Sequence, residues 1–277
     1  MLRIVKTNSR THKPLKPISP RSKHISLKIN DLSIGYKSKT VCNGINFHLS
    51  VGELSAIVGI NGIGKSTLLR TLGNFQSKLS GNIQIDGKET NNYDPLELAS
   101  KISVVLTEPI ASKNMTVQEL VALGRQPYTN WIGNLSPTDI SKINTSLQLL
   151  ELDDLQNRKC YELSDGQLQR AMIARALAQD TDIILLDEPT THLDLYHKIQ
   201  ILKLLKSIAH ETQKTILFTS HEIEMAIQLC DKILILDGTQ NPFDAPCELI
   251  KNRAFESLFP SDAVTFDPET GSFRIQK

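Results

Sequence analysis

The stretch Glu53-Leu-Ser-Ala-Ile-Val58-Gly59-Ile-Asn61-Gly62-Ile-Gly64-Lys65-Ser66 decides the fold. Glu53 to Val58 reads as a strand. A glycine-rich loop follows, and a helix is expected from about Lys65 to Leu72. The loop fits the pattern G-x-x-x-x-G-K-[ST]. Its glycines let the backbone close around a phosphate, with several N–H groups turned inward. The start of the helix adds the positive end of its dipole. Lys65 is expected to reach the β- and γ-phosphates of a nucleotide, and Ser66 to ligate Mg2+.

Strand and helix signals alternate outward from this loop. Apolar runs at Ile102–Leu106, Ile183–Leu186, Thr215–Thr219 and Ile233–Leu236 suit strands buried on both faces of a parallel sheet. A helix between the later runs carries Ile201, Leu204, Leu205 and Ile208 on one face. Strand-helix-strand alternation implies right-handed crossovers. The stretch from about 108 to 164 lacks strand runs and carries helix starts instead. Thr116-Val-Gln-Glu119 is a capping box, with Met115 and Leu120 as its hydrophobic staple. Ser136-Pro137 with Asp139, and Asp94-Pro95 with Glu97, are further starts. This predicts a helical insertion within an α/β domain. Near the C-terminus, Ala263–Phe266 and Ser272–Ile275 flank Asp267-Pro-Glu-Thr-Gly271 as a hairpin.

Composition excludes several classes. The 277 residues carry 31 Lys and Arg against 30 Asp and Glu, a net charge of +1, which argues against binding nucleic acid through overall basicity. The apolar runs fall far short of the ~20 residues a membrane-spanning helix needs. The N-terminus has no continuous apolar segment of secretory type. Cys42, Cys160, Cys230 and Cys247 are widely spaced, which indicates neither a zinc site nor a disulfide framework. Segment 1–25 holds seven Lys or Arg, no acid, and Pro14, Pro17 and Pro20. It reads as a flexible basic extension, either a solvated tail or a segment that meets anionic lipid headgroups.

Two further motifs carry chemistry. Ile183-Ile-Leu-Leu-Asp187-Glu188 is an apolar strand ending in two carboxylates. They are expected at the carboxyl edge of the sheet, where open α/β sheets bind ligands. Asp187 would hold Mg2+, and Glu188 would orient or deprotonate a water. Leu163-Ser164-Asp165-Gly166-Gln167 opens a helix, with Ser164 as cap and Gln167 completing a capping box. Free N–H groups at such a helix start could form a second anion site.

Over residues 26 to 255 the chain resembles the nucleotide-binding subunit of an ATP-binding cassette (ABC) transporter. Leu163-Ser-Asp-Gly-Gln167 resembles the family signature Leu-Ser-Gly-Gly-Gln. Tyr36 resembles the aromatic that stacks on adenine. Glu188-Pro-Thr-Thr-His-Leu-Asp194 resembles the catalytic glutamate running into the D-loop, and His221 resembles the switch histidine. The resemblance implies a P-loop NTPase core, mostly parallel, with an antiparallel β region and a helical subdomain at about 108–164. A tail at 256–277 lies beyond the cassette. The cofactors implied are ATP and Mg2+. The nucleotide-binding set would be Tyr36, Gly59, Asn61, Gly62, Gly64, Lys65, Ser66 and Thr67, with Ser164, Gly166, Gln167 and Asp194. Glu188, His221 and Lys65 would be catalytic.

The family works as a head-to-tail dimer, each ATP lying between the P-loop of one subunit and the signature of the other. Thr116 to Tyr128 is similar to the corresponding segment of importers for iron-siderophore, haem and vitamin B12. The resemblance therefore implies permease subunits as partners, no contact with the cargo, no nucleic acid, and a peripheral place on the cytoplasmic face of the inner membrane. Alternatives are a soluble iron–sulfur-assembly ATPase, an exporter cassette and a non-hydrolysing regulatory binder. Two departures stand out. Thr107 then Glu108 occupy the place of the family's glutamine, so Glu108 is a candidate metal-side carboxylate beside Ser66 and Asp187. Asp165 replaces a signature glycine.

Overall fold

Buried, β-branched and leucine-rich strands dictate the centre of the molecule. A computed structural model describes residues 24–37, 39–108, 112–259 and 264–275. Most of the basic segment 1–25 therefore lies outside the described residues. Strands β1 (Ile25–Tyr36) and β2 (Lys39–Ser50) come first, followed by β3 (Leu54–Val58) and helix α1 (Lys65–Leu72). Next come β4 (Ser80–Ile85), β5 (Lys88–Glu89), α2 (Pro95–Ala99) and β6 (Ile102–Val105). Helices α3 (Val117–Ala122), α4 (Pro137–Leu149) and α5 (Asp165–Ala178) precede β7 (Ile183–Leu186). The chain continues through α6 (Leu195–Thr212), β8 (Thr215–Ser220), α7 (Ile223–Leu229) and β9 (Lys232–Ile235). It closes with β10 (Phe243–Asp244), α8 (Pro246–Lys251) and the hairpin β11 (Val264–Asp267) and β12 (Ser272–Ile275).

The main sheet has the order β10-β9-β3-β8-β7-β6 and is parallel except for β10. Every residue of β3, β7 and β8 is buried, because both faces are covered. One face, with Ile57, Leu185, Leu217 and Leu234, packs on Leu68, Leu69 and Leu72 of α1 and on a second sheet. That second sheet is antiparallel, with the order β2-β1-β4-β5. Register shifts interrupt the β1–β2 pairing at four places. Alternating apolar residues such as Leu27 and Ile29 face inward there. The other face of the main sheet carries Ala56, Val58, Leu186 and Phe218 and packs on the α5 and α6 helices. On α6 the buried set is Ile201, Leu202, Leu205, Ile208 and Ala209. Leu204 lies at the margin, only partly buried, because the helix turns Leu202 rather than Leu204 toward the sheet.

Capping sets the helical region. Thr116 and Ser136 each form a capping box, with Glu119 and Asp139, and Asp94 caps α2 by accepting from Glu97 N–H. α5 packs on both α3 and α4, so the bundle is closed by residues after 164. A buried ion pair ties it together. Arg125 Nε donates to Asp139 Oδ1 at 2.8 Å, and its Nη1 donates to the Ala178 carbonyl at the end of α5 at 2.7 Å. First the Ser136 hydroxyl, then the Ser136 amide and the Arg125 guanidinium, hold the Asp139 carboxyl below the usual range. The C-terminal hairpin packs back on the core: Phe266 stacks on Phe255, and Phe273 N–H donates to Glu224 on α7.

Candidate functional site

The parallel register brings the chemistry to one edge. Val58 pairs with Ser220 and Ile235, and Leu186 with Phe218. The chain segments following β3, β7 and β8 therefore emerge side by side, as Gly59, Asp187 and His221. The loop from Gly59 to Gly64 fits its task closely. A Cβ on Gly59 would lie 2.5 Å from the Leu236 carbonyl oxygen, and Gly64 has a φ of +113°. Among the described residues, no protein acceptor takes the N–H of Asn61, Gly62, Gly64, Lys65, Ser66 or Thr67. These donors ring the start of α1, which matches a polyphosphate.

Lys65 is buried, with only 5% of its surface exposed. Its Nζ donates to the carbonyls of Gly59 at 2.8 Å and Ile60 at 3.1 Å. It also lies 3.3 Å from His221 Nδ1. Burial pushes the Lys65 pKa down, and the charges of Glu188 and Asp187 oppose that shift. An ammonium can only donate, so His221 Nδ1 accepts and the ring proton sits on Nε2. Nε2 then donates to Glu188 Oε1 at 2.6 Å.

Asp187 is nearly buried, at 3% exposure. Its Oδ1 accepts from the hydroxyls of Ser66 at 3.0 Å and Thr219 at 2.7 Å, and its Oδ2 from Thr107 at 3.3 Å. Hydroxyl, carboxylate and phosphate oxygens form the hard donor set that suits Mg2+. Ser66 and Asp187 fit that ion, and the open N–H groups fit the nucleotide phosphates.

The other expected residues fall in distinct places. The Tyr36 ring is exposed at the end of β1, and its hydroxyl lies 3.3 Å from Thr67 Oγ1 beside the P-loop. Glu108 accepts from Arg70 Nη2 at 2.8 Å, which turns it toward α1. Thr107 is the residue at that position whose side chain reaches Asp187. Ser164, Gly166 and Gln167 stand at the N-terminus of α5. Ser164 N–H donates to Gln167 Oε1 at 3.0 Å, and Gln167 N–H to Ser164 Oγ at 3.3 Å, so these two bond each other. Asp165 is exposed. A cleft of about 190 Å3 separates α5, with Asp165, Gln169 and Met172, from Thr107, Asp187 and Glu188. Asp194 caps α6 by accepting from His197 N–H at 2.9 Å.

Two residues lie within stretches already singled out but take roles that the motifs did not assign. Thr191 donates to Glu188 Oε2 at 2.9 Å. Thr219 bonds both acids: it donates to Asp187 and accepts from Glu188 N–H at 2.8 Å. For Thr219 the sequence offers only a threonine in a strand that also holds Thr215 and Ser220, and threonine is a common strand former.

The sequence pattern of the ABC transporter family matches residues 42–191. The petrobactin import ATP-binding protein of Bacillus subtilis is 37% identical over 84% of this chain and 92% of its own length. The achromobactin transport ATP-binding protein of Dickeya dadantii is 35% identical over 86% of this chain and 89% of its own. Among solved structures, an inward-facing putative metal-chelate type ABC transporter superposes with a TM-score of 0.75 at 29% identity. That match covers 85% of this chain and 89% of the transporter chain.

Proposed function

Because this chain belongs to the ABC transporter family of ATP-binding proteins, we propose that it is the ATP-hydrolysing subunit of an uptake system for a metal-chelate cargo of the iron-siderophore type. Haem and cobalamin remain within the same cargo group. The cargo assignment rests on relatives named for petrobactin, achromobactin and iron(3+)-hydroxamate. The observation that carries the ATPase chemistry is the continuous bonded path Lys65–His221–Glu188 beside the Ser66–Asp187 pair.

Ser66 and Asp187 would hold Mg2+. That ion, when bound, neutralises phosphate charge. Lys65 exchanges its two carbonyl partners for phosphate oxygens at the mouth of α1. Glu188 accepts a proton from the attacking water, and the Nε2 proton of His221 orients its carboxylate. Tyr36 offers its exposed ring as a face for adenine. Ser164 and Gly166, exposed or half-exposed at a helix start, serve the nucleotide of a second copy. Two such chains then form a two-fold dimer with two composite sites. The chain acts peripherally, on the cytoplasmic face of the membrane, beside permease subunits. Among the described residues, no helix is long and apolar enough to cross a bilayer.

Tagged protein drawn from detergent-solubilised source membranes, with mass spectrometry of its companions, tests this reading. A polytopic membrane protein is the expected companion. Recovery of soluble assembly factors alone would overturn the transport reading even with ATP hydrolysis intact.

A further inference from the structure

We propose that Thr219 is a positioning residue that sets Asp187 and Glu188 in one fixed relation; this rests on the roles assigned to those two acids above. Thr219 is fully buried in β8. Its neighbours in the register are Ile57 on β3 and, across β7, the chain leaving Leu186. A hydroxyl has one proton and accepts elsewhere. Here the Glu188 N–H can only donate, at 2.8 Å, so the hydroxyl proton is left for Asp187 Oδ1, at 2.7 Å. Both bonds form at once, and together they orient the hydroxyl.

Two features make this link matter. Glu188 has a φ of +47°, a backbone state that non-glycine residues rarely adopt. The bond from its N–H to Thr219 holds that turn, and the turn aims its carboxylate at His221. Asp187, for its part, makes no ion pair with Lys or Arg among the described residues. Three hydroxyls orient it, from Ser66, Thr107 and Thr219. Of these, only Thr219 also bonds Glu188. Thr107 reaches the other oxygen at the longer distance of 3.3 Å. Ser66 is expected to turn its oxygen to the metal, which leaves Thr219 to keep Asp187 in place.

Valine has the shape of threonine and neither hydrogen-bonding function. Thr219→Val should lower kcat for Mg-ATP by about 10- to 100-fold, the ratio expected from losing a bond to a charged group. The KM for ATP should stay within about threefold, since the P-loop donors are untouched. A second readout does not depend on turnover. The rise in melting temperature caused by ATP in EDTA should match that of the parent chain, while the additional rise on adding Mg2+ should shrink. Thr219→Ser keeps the hydroxyl and should restore both readouts to within about threefold of the parent. Thr219→Ala, measured alongside, replaces the valine variant should the latter not fold, with the same expected losses.

A valine or alanine variant with parental kcat and a full Mg2+-dependent shift overturns the proposal, and so does a serine variant that loses as much as valine. Glu188→Gln separates this from failure of the wider reading. If that variant hydrolyses as fast as the parent, the role of Glu188 is wrong, and the Mg2+-dependent shift alone then decides whether Thr219 orients Asp187.

Discussion

Two regions that meet at the cleft beneath α5, a sheet wall that includes Asp187 and Glu188 and an α5 wall that includes Asp165, are built on opposite plans. The sheet wall joins residues far apart in the chain: Ser66 to Asp187, Lys65 to His221, Glu188 to His221, Thr219 to Asp187. Fully buried strands end at these groups or lead into α1, and each is held by a partner on a different element. The α5 wall is local. Ser164 and Gln167 are three residues apart, bond each other, and stand at a helix start that is largely exposed. The first plan makes a preformed reaction site. The second makes a docking end, capped so that it exists without its ligand and open so that another molecule can meet it. The exposed Asp165 stands in the first turn of α5, where an acid stabilises the helix dipole, and it lines the cleft opposite Asp187 and Glu188.

Glu188, on the sheet wall, is where the largest effect is expected. Glu188→Gln should lower steady ATP hydrolysis by about 10²- to 10⁴-fold, the range for losing a general base. Nucleotide binding should persist, and an ATP-dependent dimer should appear by size exclusion. Unchanged hydrolysis with no dimer would move the reaction off the sheet wall altogether.

Below that comes the ion pair that holds the α5 wall to its bundle. Asp139→Ala leaves Arg125 charged and buried, and should destabilise the chain by about 3–5 kcal/mol in urea unfolding. A loss under about 1 kcal/mol would mean that solvent already reaches the pair. The pH dependence follows from the same group. The folded pKa of Asp139 lies below its unfolded value of about 3.9, so its contribution is complete well above that value. It is lost as pH falls from about 3.9 through the lower folded value. Asp139→Asn should therefore show a shallower fall of melting temperature between neutral and acidic pH than the parent chain. An equally steep fall would assign the acid sensitivity to other carboxylates.

Ser164→Ala sharpens the contrast on the exposed side. Loss of the cap should cost about 1 kcal/mol. Binding of nucleotide to a single chain, measured by equilibrium titration, should not change, while hydrolysis that needs two chains should fall. A weaker single-chain affinity would mean that Ser164 serves its own P-loop. The smallest effect is expected at Ser55 in β3, whose buried hydroxyl has no hydrogen-bond partner among the described residues. Ser55→Ala should raise stability by about 1 kcal/mol, read as an upward shift in thermal midpoint. A loss would show that this hydroxyl has an unseen partner.

Much of this was legible before folding was considered. Helix α1 begins and ends where Lys65 and Leu72 place it, because a glycine loop and a following glycine leave little freedom. β7 was legible because a strand buried on both faces is an apolar run, and β8 because Ile216–Phe218 forms such a run between hydroxyl residues. β1 and β2 were harder to resolve: bulges break their alternation, so inward residues do not keep period two. The place of Glu108 after β6 makes it a candidate metal-side acid, and it lines the same cleft as Asp187 and Glu188. Its partnership with Arg70 depends on where α1 lies against that strand, which no local pattern states.

A polyphosphate loop, a pair of strand-end acids and a second helix-start motif can be read from the amino-acid order, because each is a pattern over a few consecutive residues. Only the tertiary structure decided which side chains complete them. Thr219 becomes meaningful when β8 lies in parallel register beside β7, and Thr107 when β6 lies on the far side of the same strand. Hydrogen bonds reach about 3 Å, so contacts between residues 31 to 156 positions apart are fixed by packing alone.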